Sequence, residues 1–363
     1  MYDAIVVGAR CAGAPLAMNL ARKGHRVVAL DRGGFDGSPG DAQAMTGRSV
    51  YRMADWGLLE RLKATGAIPI RMLTLTAGEG SVDIPYWGPL PGVCPRRGIL
   101  DSLLAGAARE AGVELREHTT VTRLLRNGDG TVCGVEAVGP DGKTYTEEAK
   151  VVVGADGRDS LVAREVDAPA YNQFPVMTGA FYATYRGMPA EGIEMYFLSR
   201  SSIQVLPTDG GATVGIFLPI AEFEQAQADV EGAVERALAE VPGLALRIGC
   251  GKPESPWKAH RWGDSFYRPL GGPGWTLAGD AAFFKEPILG QGINDAFRDA
   301  DNVSAAIHEG LTGGDMQAAL DQAQAYRDER TRVLFQATLD FARFEVTPQK
   351  LSMLAAWAEN LLR

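Results

Sequence analysis

The sequence predicts an α/β protein: a parallel sheet flanked by helices, interrupted by an inserted antiparallel sheet and followed by C-terminal helices. Three observations carry this reading. A short apolar run at 3–7, a helical stretch at 14–23 and a second apolar run at 26–30 together read as a βαβ unit. Between about 166 and 264 the pattern changes to longer alternating strands separated by Pro, Gly and Asp turns. The chain then returns to a buried run, WTLAGD at 275–280, and to a helix that begins near Gly292, and stays mostly helical to Arg363.

Between these landmarks the elements follow in order. Apolar spacing from Val50 to Gly66 predicts a helix, and 72–86 alternates around a central glycine as a hairpin does. A helix over 99–111 ends at Gly112, a natural residue just past a helix end, and a strand follows at 113–115. Strands continue through 119–153, with turns at Asp129-Gly130 and Asp141-Gly142. The inserted region holds GAFYATYRG, IEMYFLS, SIQVLPT and ATVGIFLP, then one helix at about 224–241. The expected units are therefore 1–75, 93–165 and 265–310 for the parallel-sheet domain, 76–92 and 166–264 for the antiparallel sheet, and 311–363 as a helical segment.

Composition excludes several classes of function. The chain has 363 residues, a size that suits about two domains. A net charge of −9 is the wrong sign for general phosphate-backbone binding, so no nucleic-acid partner is expected. Cys11, Cys94, Cys133 and Cys250 are widely spaced, with no CxxC and no Cys/His cluster, which predicts reduced thiols, no metal site and a cytoplasmic location. The N-terminus has neither the basic region nor the uninterrupted apolar core of a signal peptide, and no run of 18 apolar residues occurs. No stable membrane insertion is expected, and the chain is expected as a monomer or homodimer. Glycine is in surplus, 44 residues against a usual ~7%, which suggests backbone approached closely by ligands.

Three motifs carry chemistry. The first turn, Gly8-Ala9-Arg10-Cys11-Ala12-Gly13, followed by Ala17 and Gly24, fits GxGxxGxxxAx6G except that Arg10 replaces the middle glycine. The glycines allow a tight turn and close helix packing, the amides at the helix start suit a pyrophosphate, and Asp31 ends the second strand where a carboxylate can bind ribose hydroxyls. A second motif, Gly154-Ala155-Asp156-Gly157 with Ser160 and Arg164 downstream, closes a run of valines. A third, Gly279-Asp280-Ala281-Ala282, closes WTLA and is followed by Pro287 and Gly290-Gln291-Gly292-Ile293-Asn294 at another helix start. Several amides there suit an anionic or electron-rich ring edge.

With these three motifs in this order, the sequence resembles the class A, aromatic-hydroxylase-type FAD-dependent monooxygenases, and its first turn is similar to that of a GxRCAG subgroup. The resemblance extends to about residue 310. It implies a Rossmann-like FAD-binding domain of the GR2 type, with cofactor contacts at Gly8, Arg10, Cys11, Ala12, Gly13, Asp31 and Arg32. It places Asp156 and Gly157 near the pyrophosphate and the nicotinamide donor, Gly279 and Asp280 at the ribityl chain, and Pro287, Gly290, Gln291, Gly292, Ile293 and Asn294 around the isoalloxazine ring. Arg97, in RGILD, resembles the arginine that contacts the cofactor in this family, with Arg96 as a possible substitute. The implied activity consumes NADPH or NADH as a transient hydride donor and O2, and hydroxylates or epoxidises a small aromatic or polyketide-like molecule through a flavin C4a-peroxide. Two departures stand out: Phe283 where a histidine is frequent, and Glu286 where the first of two prolines is frequent. Related alternatives are a reductase of the geranylgeranyl-reductase-like type and a flavin halogenase, although the WxWxIP element of halogenases is absent and Trp87-Gly88-Pro89 does not match it.

Other candidates are weaker. His25, His118, His260 and His308 fit no hydrolase signature and are expected to be structural or solvated, and Cys11 is expected to be a small buried thiol under the cofactor rather than a catalytic one. Lys285 is the one side chain assigned as a candidate catalytic group beside the flavin itself, against the alternative of a solvated pair with its neighbouring Glu. Trp87, Tyr182, Tyr185, Phe197 and Phe217 are expected to roof an apolar substrate pocket. The terminal stretch LSMLAAWAENLLR is expected to dock onto the body of the protein or a second subunit.

Overall fold

The structure, a computed structural model, describes residues 1–85, 90–347, 349–353 and 356. Its central sheet runs in the order Gly271–Gly272, Trp275–Leu277, Thr144–Gly154, Tyr2–Val7, Val27–Leu30, Glu114–Arg116. All neighbours are parallel except the outermost pair at Gly271–Gly272. Its inner strands are continuous apolar runs because helices cover both faces; every residue of Val27–Leu30 is buried. Helix Gly13–Arg22 lies against helices Arg97–Glu110 and Gly292–Leu311. An antiparallel ribbon, Thr120–Arg126 with Val132–Val138, extends from the outer half of Thr144–Gly154.

The second large sheet runs from an edge formed by Lys252–Pro253 and Lys258–Arg261 through Thr178–Arg186, Gly211–Pro219, Ser202–Thr208, Ile193–Phe197 and Met72–Ala77 to Gly80–Pro85. Its pairings are antiparallel except one: Met72–Ala77 runs parallel to Ile193–Phe197. The whole hairpin 72–85 thus belongs to this sheet, and the expected boundary at 75/76 falls in mid-strand and moves to about residue 72. A smaller sheet of Tyr171–Phe174, Ser265–Tyr267 and Phe283–Phe284 ties the two large ones together.

Helix boundaries differ from the sequence reading for local reasons. The helix expected over 50–66 is two, Gly47–Asp55 and Leu59–Ala64, separated at Gly57, whose φ of +72° ends the first. The helix expected at 224–241 is also divided, into Ile220–Ala226 and Val230–Ala239, because the Asp229 carboxylate accepts from the Gly232 amide and starts a new helix. A further helix, Pro242–Gly249, follows. The long C-terminal helix Met316–Phe341 packs on Gly292–Leu311. Leu351 is buried against the core, while most of the stretch beyond it lies outside the described residues.

Candidate active site

A single cavity of about 970 Å³ is bounded by the carboxyl ends of the parallel strands, by the 279–296 segment and by one face of the antiparallel sheet. That volume is near the top of the ~300–1,000 Å³ usual for ligand sites. Gly8 turns the chain off the first strand at a φ of +88°, and a Cβ there would stand 2.4 Å from the Ala155 carbonyl oxygen. The first and second motifs are therefore in contact. Helix Gly13–Arg22 has no side-chain cap at its N-terminus; the Ala14 and Leu16 amides donate to the Arg10 and Ala12 carbonyls and Pro15 has none, so the amides on offer to an acceptor in the cavity are those of the cavity-lining Cys11 and Ala12 just before it. Helix Gly292–Leu311 is likewise without a side-chain cap.

Asp31 is buried and holds the first turn in place: its carboxylate accepts the Ala9 and Gly33 amides, both at 2.8 Å. Each carboxylate oxygen has further lone-pair capacity, so ribose hydroxyls remain compatible with this arrangement. Asp101, which sequence reasoning left without a role, explains the unusual Arg10. Its buried carboxylate accepts from Arg10 Nη1 at 3.0 Å, from Arg97 Nε at 3.0 Å and from the Cys11 thiol at 3.4 Å. Arg10 therefore replaces a glycine without filling the phosphate space, because its guanidinium is drawn across to the helix of RGILD. The spacing Arg97 to Asp101, one helical turn, was the available signal. Burial pushes the Cys11 thiol up to about 12, which leaves it protonated and unreactive.

Arg97 lines the cavity, whereas Arg96 turns away into ion pairs with Glu254 and Asp209. Asp156 and Gly157 line the cavity, but the Asp156 carboxylate is occupied by the Ser160 hydroxyl and the Leu161 amide, at 2.5 and 2.7 Å. Its role is to shape the turn. Asp280 differs from the other carboxylates. It faces the cavity, burial raises its pKa above the usual carboxylate range, and among the described residues no hydrogen-bond donor reaches it. A buried carboxylate without a donor fits a ligand that brings hydroxyl groups.

Gly8, Arg10, Cys11, Ala12, Asp31, Arg32, Arg97, Pro287, Gly290, Gln291, Gly292 and Ile293 all line this one cavity. Gly13, Gly279 and Asn294 do not. Gly13 sits against the Gly8 carbonyl and Gly279 against Ala12, close approaches that only glycine permits. The Asn294 side chain accepts from Thr46 and pins the start of helix Gly47–Asp55. Open space faces Gly157 and Gly292, where a Cβ would meet nothing within 4 Å. Carboxylates able to accept hydroxyls, backbone amides and space left open by glycines in one cavity fit FAD, which Asp31, Arg32, Asp280 and 290–293 would hold. Bound there, the flavin supplies two-electron redox chemistry and activates oxygen.

Lys285 and Glu286 do not pair with each other. Lys285 is buried in the cavity wall, ion-paired to Asp295 and over the Phe283 ring, while Asp295 also receives Arg298 at 2.6 Å. Burial and the Arg298 charge bring the Lys285 ammonium down to about 7. Glu286 accepts from the Thr178 hydroxyl at 2.6 Å and from the Met177 amide, so the residue standing in place of a proline fastens the antiparallel sheet to the ring-bordering loop.

Of the expected pocket aromatics, only Tyr182 lines the cavity. Tyr185 lies on the other face of its strand, among the helices 220–249, because three residues' separation reverses direction in a strand. Phe197 is covered by Phe341, and Phe217 lies beneath Tyr182 at 5.8 Å, edge to face. Trp87 lies outside the described residues. The cavity is completed instead by Gln204, Leu206, His260, Trp262, Phe283 and Phe284. The signal for Gln204 in the sequence is an amide side chain set between the apolar Ile203 and Val205. His260 and Trp262 share a face through period-two alternation and stack at 5.8 Å. Among the described residues there is no cluster suited to a metal ion, and no helix is long and apolar enough to cross a membrane.

Residues 1–340 match the family described as FAD binding domain. Among curated relatives, a 1H-pyrrole-2-carbonyl peptidyl-carrier protein brominase of Pseudoalteromonas luteoviolacea is 25% identical over 348 residues, covering 90% of this chain and 81% of the relative. The ubiquinone hydroxylase UbiL of Rhodospirillum rubrum is 27% identical over 363 residues, covering 90% and 77%. A solved structure of the flavin-dependent brominase Bmp2, a triple mutant, superposes with a TM-score of 0.87 at 20% identity, covering 100% of this chain and 94% of that one. At that identity the superposition speaks for the fold alone. The match along nearly the whole chain makes this protein a member of the FAD-dependent class A monooxygenase family, a flavin-dependent oxidoreductase.

Proposed function

We propose that the chain is an NAD(P)H-consuming monooxygenase that inserts one atom of O2 into a small aromatic or polyketide-like molecule and releases the other as water. The observation that carries this reading is that one cavity joins the dinucleotide turn, the 290–293 segment and an aromatic face of the antiparallel sheet. Asp31, Arg97 and Asp280 hold the cofactor in this reading, and 290–293 borders its ring. Tyr182, Gln204, Leu206 and Phe284 orient the substrate and exclude water, which suppresses wasteful release of peroxide. A single dinucleotide fingerprint fits one resident cofactor and a nicotinamide that visits and leaves.

The test is anaerobic reduction of the FAD-loaded protein by NADH and by NADPH, followed optically with and without a panel of phenols and quinones. Reduction accelerated by one compound, and incorporation of labelled oxygen into it under air, is the expected result. Failure of both donors to reduce the flavin under every condition overturns the reading. It would favour a second one, halogenation supplied by a partner reductase, which the full-length likeness to a brominase supports. Halide in the product then decides.

A further inference from the structure

Resting on that reading, we infer that the substrate of this cavity is an uncharged aromatic molecule bearing a hydroxyl or amide group, and not a carboxylate. At the antiparallel-sheet end, three polar groups face the cavity without a protein partner among the described residues. The Tyr182 hydroxyl is influenced only by burial and the distant Asp41 charge, and His260 only by burial, Asp41 and Lys258. The Gln204 amide nitrogen donates to the Ile288 carbonyl, which fixes the amide orientation and leaves its oxygen as the exposed group. The site therefore presents one fixed acceptor, Gln204 Oε1, beside a phenol and an imidazole that can donate or accept. A substrate hydroxyl or amide N–H satisfies that acceptor. A carboxylate, which only accepts, meets it oxygen to oxygen.

The charges at this end give the same answer. The two lysines beside this end already have counter-ions, Lys285 on Asp295 and Lys258 on Asp41 at 3.2 Å. Glu286 is filled by Thr178 and Met177. His260 is held by burial below its ordinary pKa and is neutral at pH 7. An entering carboxylate would have to stay unpaired or break an existing ion pair, and both are costly in a desolvated site. Leu206 and the rings of Trp262, Phe283 and Phe284 give the walls an apolar face that suits a planar ring, while the Trp262 Nε1–H is buried with no acceptor among the described residues.

The experiment compares matched probes on the FAD-loaded full chain at pH 7: benzamide against benzoate, and 2-naphthamide against 2-naphthoate. Binding is read as perturbation of the visible flavin spectrum. At least one amide binds tenfold or more tighter than its acid, and Gln204→Leu removes about tenfold from the amide while leaving the acid unchanged. Equal or tighter binding of the acids, or binding of none of the four to fully loaded protein, overturns the inference. Anaerobic reduction by NAD(P)H, measured on the same sample without a probe and with each of the four, reports on the monooxygenase reading separately, since probe binding is read from the oxidised flavin alone.

Discussion

The two ends of the cavity differ in how their polar groups are occupied. At the dinucleotide end Asp31, Asp101 and Asp156 each hold several protein donors, so the turn, the helix start and the RGILD helix are fixed before any ligand arrives. At the antiparallel-sheet end Tyr182, Gln204 and His260 keep open hydrogen-bonding capacity. The lesson is a division of labour. The first end is rigid, which suits one resident cofactor, and the second defers its hydrogen bonds to whatever it binds. Asp280 and Lys285 stand at the junction.

The largest effect should come from breaking the rigid end. Asp101→Ala removes the shared acceptor of Arg10, Arg97 and Cys11 and should destabilise the fold by about 1–3 kcal/mol, less than for a fully buried pair because the Arg10 and Arg97 side chains are 48% and 37% exposed and water can take them up; urea unfolding of the apoprotein checks it. Unchanged stability would mean that the first turn does not depend on this carboxylate. Next, Asp280→Ala should weaken FAD binding by about 10- to 100-fold, as expected for hydrogen bonds to a charged acceptor, with little change in apoprotein stability; retained flavin after gel filtration measures it. Unchanged FAD content in both Asp280→Ala and Asp31→Ala would refute the cofactor placement.

A third substitution probes the junction. Lys285 is a cation below pH 7 and neutral above it, so the spectrum of bound flavin should shift on titration through about pH 7. Lys285→Met should abolish the shift while keeping FAD, because Asp295 retains Arg298. The smallest effect lies outside the cavity. His25 Nε2 and His308 Nδ1 are 2.8 Å apart, and burial with the His308 charge holds the His25 pKa below its ordinary 6.5. The unfolded chain therefore takes up a proton that the folded one resists, so stability should fall as pH drops through 6.5. In His25→Gln the urea midpoint should change less between pH 7.5 and 5.5 than in the parent chain.

Much of the rigid end was legible in sequence because its information is local. Gly8, Gly13 and Asp31 follow from a strand–turn–helix–strand path in which each position has a fixed direction. The open end was less legible. Tyr182 and Tyr185 are indistinguishable by composition, and only the strand's phase puts one in the cavity and the other among helices. Phe197 and Phe217 lie on the cavity side of the sheet but are covered, Phe197 by the distant Phe341 and Phe217 by Tyr182 on another strand. His260 and Trp262 reach the cavity because their edge strand pairs with Thr178–Arg186, a register that local patterning does not specify. Asp101 was hidden for the opposite reason: it sits in a quoted motif, but its partner Arg10 looked like a departure until the two were seen together.

The parallel placement of Met72–Ala77 beside Ile193–Phe197 has a consequence for biosynthesis. Tyr2–Val7 has one neighbour close by in Val27–Leu30 but its other only in Thr144–Gly154, and the far side of that strand is covered only by Trp275–Leu277. The antiparallel sheet has its last strand by Arg261. On the ribosome the guest sheet can therefore close before its host, and the hairpin it needs is borrowed from the host's own opening segment. A nascent chain that has emerged as far as residue 265 should hold the finished roof of a site whose ring-bordering wall, 280–296, is still to come.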